Sequence, residues 1–305
     1  MAGAAAPAAR RGVQAGGGSR SGYLLLALPA LAVVLAVIVF PWLFTLYMSV
    51  HDWRIVGEKE FVGFANFVTL ANDTRFLEAI WHTFYFTVLA VVLPVVFGVL
   101  AALVFHREFP LRGLLRTLFV MPMMATPVAI ALVWTMMFHP QLGVLNYLLS
   151  LVGIPPQLWV FAASTVIPSL ALVEVWHWTP LVMLIVLGGL ASLPSEPYES
   201  ARIDGASEWQ MFRHITWPLV LPFVMVAVVI RTIDALKAFD TIFVITQGGP
   251  GTASETINIY LYLQAFSFYN MGHASAVVVV FFVLIVILSL LLLWLRQRAQ
   301  WAQVA

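Results

Sequence analysis

The sequence predicts an all-α, polytopic membrane protein with six transmembrane helices. Hydrophobic residues make up 62% of its 305 residues and charged residues only 10%, whereas soluble domains average roughly 45–50% and 25%. A helix needs about 20 apolar residues to cross a hydrocarbon core of about 30 Å. Six runs satisfy this length, at about 24–50, 83–105, 113–137, 166–191, 219–246 and 274–295.

The first predicted elements are an N-terminal tail and the first span. Residues 1–22 are rich in Ala and Gly and lack apolar periodicity, which is typical of a disordered tail. Basic residues ahead of an apolar stretch also occur in signal peptides, but the stretch at 24–50 is too long and lacks a small-residue cleavage site. We therefore expect a membrane domain over 23–298 and a short C-terminal tail over 299–305.

The basic residues predict the orientation of the spans, because loops rich in Lys and Arg stay in the cytoplasm. The segments that must share one side carry ten basic residues, which are Arg10, Arg11, Arg20, Arg107, Arg112, Arg116, Arg202, Arg213, Arg296 and Arg298. The opposite side carries three, namely Arg54, Lys59 and Arg75. Both termini and the insert at 194–218 are therefore predicted to be cytoplasmic.

The two outer segments are short and rich in apolar and aromatic residues. Residues 61–80 carry apolar side chains at near-helical spacing, which predicts an amphipathic helix lying at the outer interface, with packing as the favoured alternative role. Residues 259–269 contain five aromatic residues that we expect to anchor the chain at the membrane interface: Tyr260, Tyr262, Phe266, Phe268 and Tyr269.

Several kinds of catalytic chemistry are excluded by motifs that the sequence lacks. The two lysines, Lys59 and Lys237, do not follow glycine, so a Gly-Lys-Ser/Thr phosphate loop is absent. There is no His-Glu-x-x-His motif and no cysteine to complete a zinc site. Glu174 and His177 share one helical face, but the further ligands of a di-metal bundle are missing. We expect neither an ATPase site nor a metal site.

Ionisable residues in the fourth and fifth spans are the stronger functional signal, because each costs about 2.5–3.5 kcal/mol at mid-membrane. They are Glu174 and His177 in the fourth span and Arg231, Asp234, Lys237 and Asp240 in the fifth. A rise of about 1.5 Å per residue places Glu174 level with Lys237, and His177 level with Asp234. We therefore predict two pairs, Glu174–Lys237 and His177–Asp234, which either line a polar passage or form a structural network.

The cytoplasmic insert at 194–218 is predicted to form two short helices. Ser195 is placed to cap a helix that has Pro197 in its first turn and runs to about Asp204. Gly205 permits a turn. Ser207 and Gln210 then have the spacing of a capping box for a second helix that ends before Pro218. The alternative is an ordinary interfacial loop.

The insert resembles a known coupling motif. The residues that carry the resemblance are Glu199, Ser200, Ala201, Asp204, Gly205 and Ala206, followed by Phe212, Ile215 and Pro218. Their spacing is similar to the EAA loop of permease subunits in binding-protein-dependent ABC importers, with Ser200 where the family has alanine. The Thr246-x-Gly248-Gly249-Pro250 turn and the entry to the last span at 271–276 resemble the sugar-importing branch, which includes maltose-type and glycerol-phosphate-type permeases. The resemblance covers about residues 24 to 298.

The resemblance implies a division of labour among several chains. It implies the type I importer permease fold, in a bacterial inner membrane, with a second homologous permease, two cytoplasmic ATPase subunits and an external solute-binding protein as partners. ATP and Mg²⁺ would bind to the ATPase subunits, whereas this chain would bind no cofactor and no nucleic acid and would contact membrane lipid. The imported solute would be a mono-, di- or oligosaccharide, a polyol or glycerol phosphate.

The resemblance also assigns roles to the residues of the loop. Glu199 would make polar contacts with the ATPase, and Ser200, Ala201 and Gly205 would allow close approach. Asp204 would brace the turn. Ile215 and Pro218 would anchor the loop to the helix bundle.

In maltose-type relatives the spans on either side of this loop form the substrate pocket. The corresponding residues here are His177, Trp178, Leu181, Arg231, Asp234, Ala235 and Ala238. They could instead be gate or packing residues, with the pocket in the partner permease. An ion-coupled secondary transporter of a small polar solute is the alternative function, but such proteins show inverted repeats, and the EAA-like insert occurs once here.

Overall fold

The computed structural model describes residues 28–55 and 57–301, so the predicted tail at 1–22 lies outside the described residues. The chain divides into two compact units, one ending at Tyr47 and one beginning at Met48. The first unit contains most of helix α1 (Leu28–Ser49). Its side chains are apolar and mostly exposed, which is typical of a helix that crosses a membrane.

The second unit is helical apart from one small hairpin. Its elements are β1 (His51–Asp52), β2 (Glu60–Phe61), α2 (Ala65–Ala71), α3 (Thr74–His106), α4 (Arg112–Val120), α5 (Pro127–Met137), α6 (Val144–Leu151), α7 (Val166–Ala191), α8 (Glu196–Ile203), α9 (Glu208–Leu236), α10 (Asp240–Thr246), α11 (Ile257–Tyr262) and α12 (Met271–Trp301). The two strands pair antiparallel, with His51 opposite Phe61. The all-α fold class is confirmed.

Five helices among the described residues are long and apolar enough to span a membrane, and a bent pair could supply the sixth. The five are α1, α3, α7, α9 and α12. Helix α7 has the bounds predicted for the fourth span, whereas α3 begins nine residues before the predicted start at 83 (83 − 74). Helix α12 continues past the predicted end at 295 to Trp301.

The predicted third span is broken. The segments Arg112–Met124 and Pro127–Met137 meet at an angle of 98°. Ala125 and Thr126 are extended, with ψ of 150° and 143°. Because proline disfavours the helical conformation in the residue before it, Pro127 explains why the helix stops at this point and a new one begins.

The predicted fifth span is also interrupted, near its C-terminal end. Helix α9 ends at Leu236, and α10 begins only at Asp240. The side-chain amide of Asn258 donates to the carbonyls of Leu236 and Ala238, at 2.9 and 3.3 Å. It therefore satisfies carbonyl groups that a helix end leaves without partners.

The core that positions the site lies between α3, α7 and α9. A Cβ atom on Gly98 would come within 2.6 Å of the Val182 side chain, so α3 and α7 approach closely only because this position is glycine. Beside it, Val99, Val182 and Val224 belong to one buried cluster shared by the three helices.

Polar contacts tie the N-terminal ends of α3 and α12 to the segment around α11. Asp73 caps α3 and accepts a hydrogen bond of 2.6 Å from the Tyr260 hydroxyl, while Arg75 forms a two-oxygen ion pair with the buried Glu255. Tyr260 is fully buried and lies 2.8 Å from His273. Burial raises the pKa of Tyr260, and its hydrogen bond to the Asp73 carboxylate adds to the shift. The prediction that Tyr260 anchors the chain at the membrane interface was wrong, because its ring packs inside the protein.

Candidate functional site

The insert begins with the short helix α8. Pro197 lies in its first turn, where the missing N–H costs nothing. The Ser195 side chain makes no capping hydrogen bond, contrary to the prediction; its carbonyl accepts the amides of Tyr198 and Glu199 instead. Helix α8 ends at Ile203, one residue before the predicted end.

Gly205 forms the turn that follows α8. Its φ is +77°, in the left-handed region that favours glycine. The amide of Ala206 donates to the Ala201 carbonyl at 2.9 Å, and the amide of Gly205 donates to the Arg202 carbonyl at 3.1 Å. These two bonds are the Schellman motif that ends many helices. The predicted turn at Gly205 is confirmed.

The second predicted helix begins as expected but does not end as expected. The Ser207 hydroxyl accepts from the Gln210 amide, and the Gln210 side chain accepts from the Ser207 amide, which confirms the capping box. The helix then continues through a π-helical turn at Phe212–Thr216 into the membrane span. The predicted end before Pro218 was wrong. Pro218 lies in the first turn of the α-helical stretch that begins at Trp217 after the π-helical turn, a position at which proline is tolerated.

The insert presents an open surface. A groove of about 330 Å³ is lined by Ala201, Asp204, Gly205, Ala206, Gln210, Met211, His214 and Ile215. Glu199 and Ser200 are exposed, and Ile203 is 87% exposed. The Tyr198 hydroxyl donates to the Thr216 hydroxyl at 3.0 Å, so α8 is braced against the start of the span. Ile215 and Pro218 are half-buried.

Inside the membrane domain, Arg231 and Glu174 form a fully enclosed ion pair. The Arg231 Nη2 atom lies 2.9 Å from Glu174 Oε2 and 3.3 Å from the Ala90 carbonyl. The guanidinium also lies 4.7 Å from the centre of the Trp178 ring, a cation–π distance. Arg231 therefore connects α3, α7 and α9. Its Nε and Nη1 atoms have no hydrogen-bond partner in the described part of the chain.

The predicted partner of Glu174 was wrong. Lys237 lies 3.9 Å from Asp234 instead, and its side chain is 59% exposed. The physical reason is the end of α9 at Leu236, which puts Lys237 at the C-terminus of the helix and outside the core. Asp240 is exposed at the same junction.

The second predicted pair is not formed either. His177 is buried and makes no hydrogen bond with Asp234 within the residues that the structure describes. Its ring lies 4.4 Å from the Trp178 ring and close to the backbone of Ala125, where the third span breaks. The turn of α7 that carries Glu174 and His177 therefore faces protein.

The predicted pathway residues divide into two groups by exposure. Arg231, His177 and Ala235 are buried. Trp178, Leu181, Asp234 and Ala238 are half-exposed. The second group therefore has accessible surface, whereas the first group is enclosed by protein.

Sequence reasoning missed three contacts of this site. Ala90 and Ala125 contribute backbone groups, which leave no signal in a sequence. Thr241 of α10 lies close to Glu174. It could not be paired with Glu174 until the break between α9 and α10 was known.

Comparison with known proteins identifies the family to which the chain belongs. Residues 94–301 match the family described as the inner membrane component of binding-protein-dependent transport systems. The chain belongs to this family. It is therefore a membrane-embedded permease component of a transport system that works with a solute-binding protein.

Curated relatives of the permease include two named for their solutes. The trehalose/maltose transport system permease protein MalF of Thermococcus litoralis is 36% identical over 255 residues, covering 83% of this chain and 85% of that protein. The sulfoquinovosyl glycerol transport system permease protein SmoG of Agrobacterium fabrum is 31% identical over 263 residues, covering 85% of each chain.

A solved structure shows the same fold. It is a bacterial alginate ABC transporter in complex with an alginate pentasaccharide-bound periplasmic protein. The TM-score is 0.78 at 24% identity, over 89% of the permease and 93% of that chain. This likeness supports the type I importer permease fold.

Proposed function

We propose that this permease imports a carbohydrate and that separate ATPase subunits drive it through the insert at 194–218. The observation that carries the proposal is the exposed groove beside Gly205, formed by the end of α8 and the capped start of α9, which continues directly into a membrane span. Movement of a partner seated on this insert would be transmitted to α9, because the helix is continuous from Glu208 to Leu236.

The ATPase contact is proposed on α8. Glu199 offers a carboxylate and Ile203 an apolar side chain on the exposed surface, while the small residues Ser200 and Ala201 let a partner approach the backbone. Gly205 and Asp204 hold the turn, and Ile215 with Pro218 fixes the insert to the bundle. ATP and Mg²⁺ bind to the partner subunits in this proposal, because the chain has no phosphate loop.

A carbohydrate is the proposed solute. The names of the relatives support it, and so do the half-exposed Trp178 and Asp234, since sugars pack against aromatic faces and donate hydrogen bonds to carboxylates. The buried Arg231 holds Trp178 in position. We propose a second, homologous permease as the other wall of the pathway, with both termini of this chain in the cytoplasm of a bacterium.

The test is reconstitution of the permease with its partner permease, ATPase subunits and binding protein in liposomes. Uptake and ATP hydrolysis would be measured across maltose, trehalose, alginate oligosaccharides, glycerol phosphate and an amino acid. We expect ATP-dependent uptake of a carbohydrate only when the binding protein is present. Uptake that follows an ion gradient without ATP, or that selects the amino acid, would contradict the proposal.

A further inference from the structure

Helix α4 differs in character from the spans on either side of it. At about 100° per residue, Arg112 and Arg116 lie about 40° apart on one face. Leu114 and Leu118 lie about 40° apart on the opposite face. None of the nine residues of α4 is buried. A short helix with a basic face and an exposed apolar face is typical of a segment at a membrane surface.

Three leucines of this segment are more exposed than buried. Leu111, Leu114 and Leu118 are 70%, 57% and 52% exposed. Leu111 also has a φ of +59°, in the left-handed region that an L side chain occupies at a cost. The backbone therefore holds an exposed leucine outward at the start of the helix.

The charges of the segment lack partners as well. Arg107 and Arg116 are exposed and Arg112 is half-exposed. None of them forms an ion pair within the part of the chain that the structure describes. Between residues 107 and 124 the sequence contains one acidic residue, Glu108.

The segment lies at the end of a membrane span. Helix α3 ends at His106, and Arg107 is its C-terminal capping residue. The ring of Phe105 lies 5.6 Å from that of Phe119 and 5.8 Å from that of Phe109, so α4 is held beside the end of α3. The arginines and the exposed leucines are thus placed where hydrocarbon gives way to water.

We propose that residues 107–118 form a binding site for anionic phospholipid. In this arrangement Arg107, Arg112 and Arg116 bind the headgroup phosphate, and Leu111, Leu114 and Leu118 insert among the acyl chains. Bilayer lipid is favoured over a protein partner because it offers phosphate and hydrocarbon side by side at this depth, and basic clusters next to a span attract anionic headgroups. The inference is independent of which solute the permease carries.

The test is native mass spectrometry of the full-length permease in detergent, titrated with phosphatidylglycerol or with phosphatidylcholine of the same chain length. Wild-type protein should prefer phosphatidylglycerol by about 10-fold or more. The triple variant Arg107→Gln/Arg112→Gln/Arg116→Gln should lose this preference. The matched control Arg10→Gln/Arg11→Gln/Arg20→Gln removes the same number of charges from the N-terminal segment and should keep it.

Two further measurements keep the test decisive. If the triple Gln variant fails to fold, the triple Arg→Lys variant should fold and retain the preference, because lysine keeps the charge. Inorganic phosphate at the same concentration should not displace the lipid, since it lacks acyl chains. An unchanged lipid preference in the triple Gln variant would overturn the proposal. If that variant kept the lipid preference but no longer co-purified with the ATPase subunits, the segment would be assigned to a protein contact.

Discussion

Glu174 and Arg231 are buried together in the membrane domain. Replacing either one leaves the buried charge of the other without a partner. Removing one partner of a buried ion pair costs about 3–5 kcal/mol, whereas replacing both with apolar residues is often neutral. We expect Glu174→Leu alone and Arg231→Leu alone to lower the thermal stability of the purified permease sharply. The double variant Glu174→Leu/Arg231→Leu should recover most of it.

Fluorescence-detected unfolding in detergent measures these stabilities. Lys237→Leu is the matched control, because this lysine is exposed at the end of α9. It should change the stability little. If Lys237→Leu destabilised the protein as much as Arg231→Leu, the assignment of Arg231 as the partner of Glu174 would be incorrect.

Gly205 gives a second prediction at the scale of one residue. A Cβ atom there would meet nothing within 4 Å, so the cost of Gly205→Ala is conformational. A left-handed alanine costs about 1–2 kcal/mol. We expect Gly205→Ala to weaken the turn after α8 and to lower binding-protein-stimulated ATP hydrolysis while the permease remains in the membrane.

Gly113→Ala is the control for this change. Gly113 also has open space around its Cβ position, but it lies in helix α4 without a positive φ. Alanine there should be neutral or stabilising by up to about 1 kcal/mol. Equal loss of coupling in both variants would show that the left-handed conformation of Gly205 has no special role in coupling.

At the scale of elements, α8 is held against the membrane span by the hydrogen bond from Tyr198 to Thr216. Tyr198→Phe removes this bond and keeps the ring, at a cost of about 0.5–1.5 kcal/mol. Hydrogen exchange should rise by roughly 2- to 10-fold in α8 and stay unchanged in α7. Unchanged exchange in α8 would mean that the capping motifs alone hold the insert.

The elements also show what the sequence could predict. The bounds of α7 and the capping box at Ser207 depend on local composition and spacing, so both were predicted. The break before Pro127 carried a signal, the proline itself, that the continuous apolar run concealed. At the end of α9 the Leu236 carbonyl accepts a hydrogen bond from Asn258, which is distant in sequence, so no local signal marked this end.

The charge pairing failed for a related reason. The prediction compared depths along the two spans from a constant rise per residue, but α9 ends at Leu236 and leaves Lys237 at its terminus. A rise per residue also says nothing about which face of a helix meets its neighbour. The identities of the buried ionisable residues were predictable, whereas their partners required the packing.

At the scale of the whole molecule, helix α9 runs from the groove on the insert at 194–218 to the buried Glu174–Arg231 ion pair, which connects three helices. In the proposed assembly a separate ATPase subunit binds to α8. The chain contains no cysteine, so a single introduced cysteine can be modified without interference. Ile203 on α8 and Leu142 before α6 are both strongly exposed and provide a matched pair of positions.

The most direct measurement is photocross-linking of the assembled importer after labelling Ile203→Cys with a benzophenone maleimide. We expect an adduct with the mass of one permease plus one ATPase subunit, and no such adduct from Leu142→Cys. Absence of the adduct at residue 203, or equal amounts of it at both positions, would contradict the claim that α8 receives the ATPase.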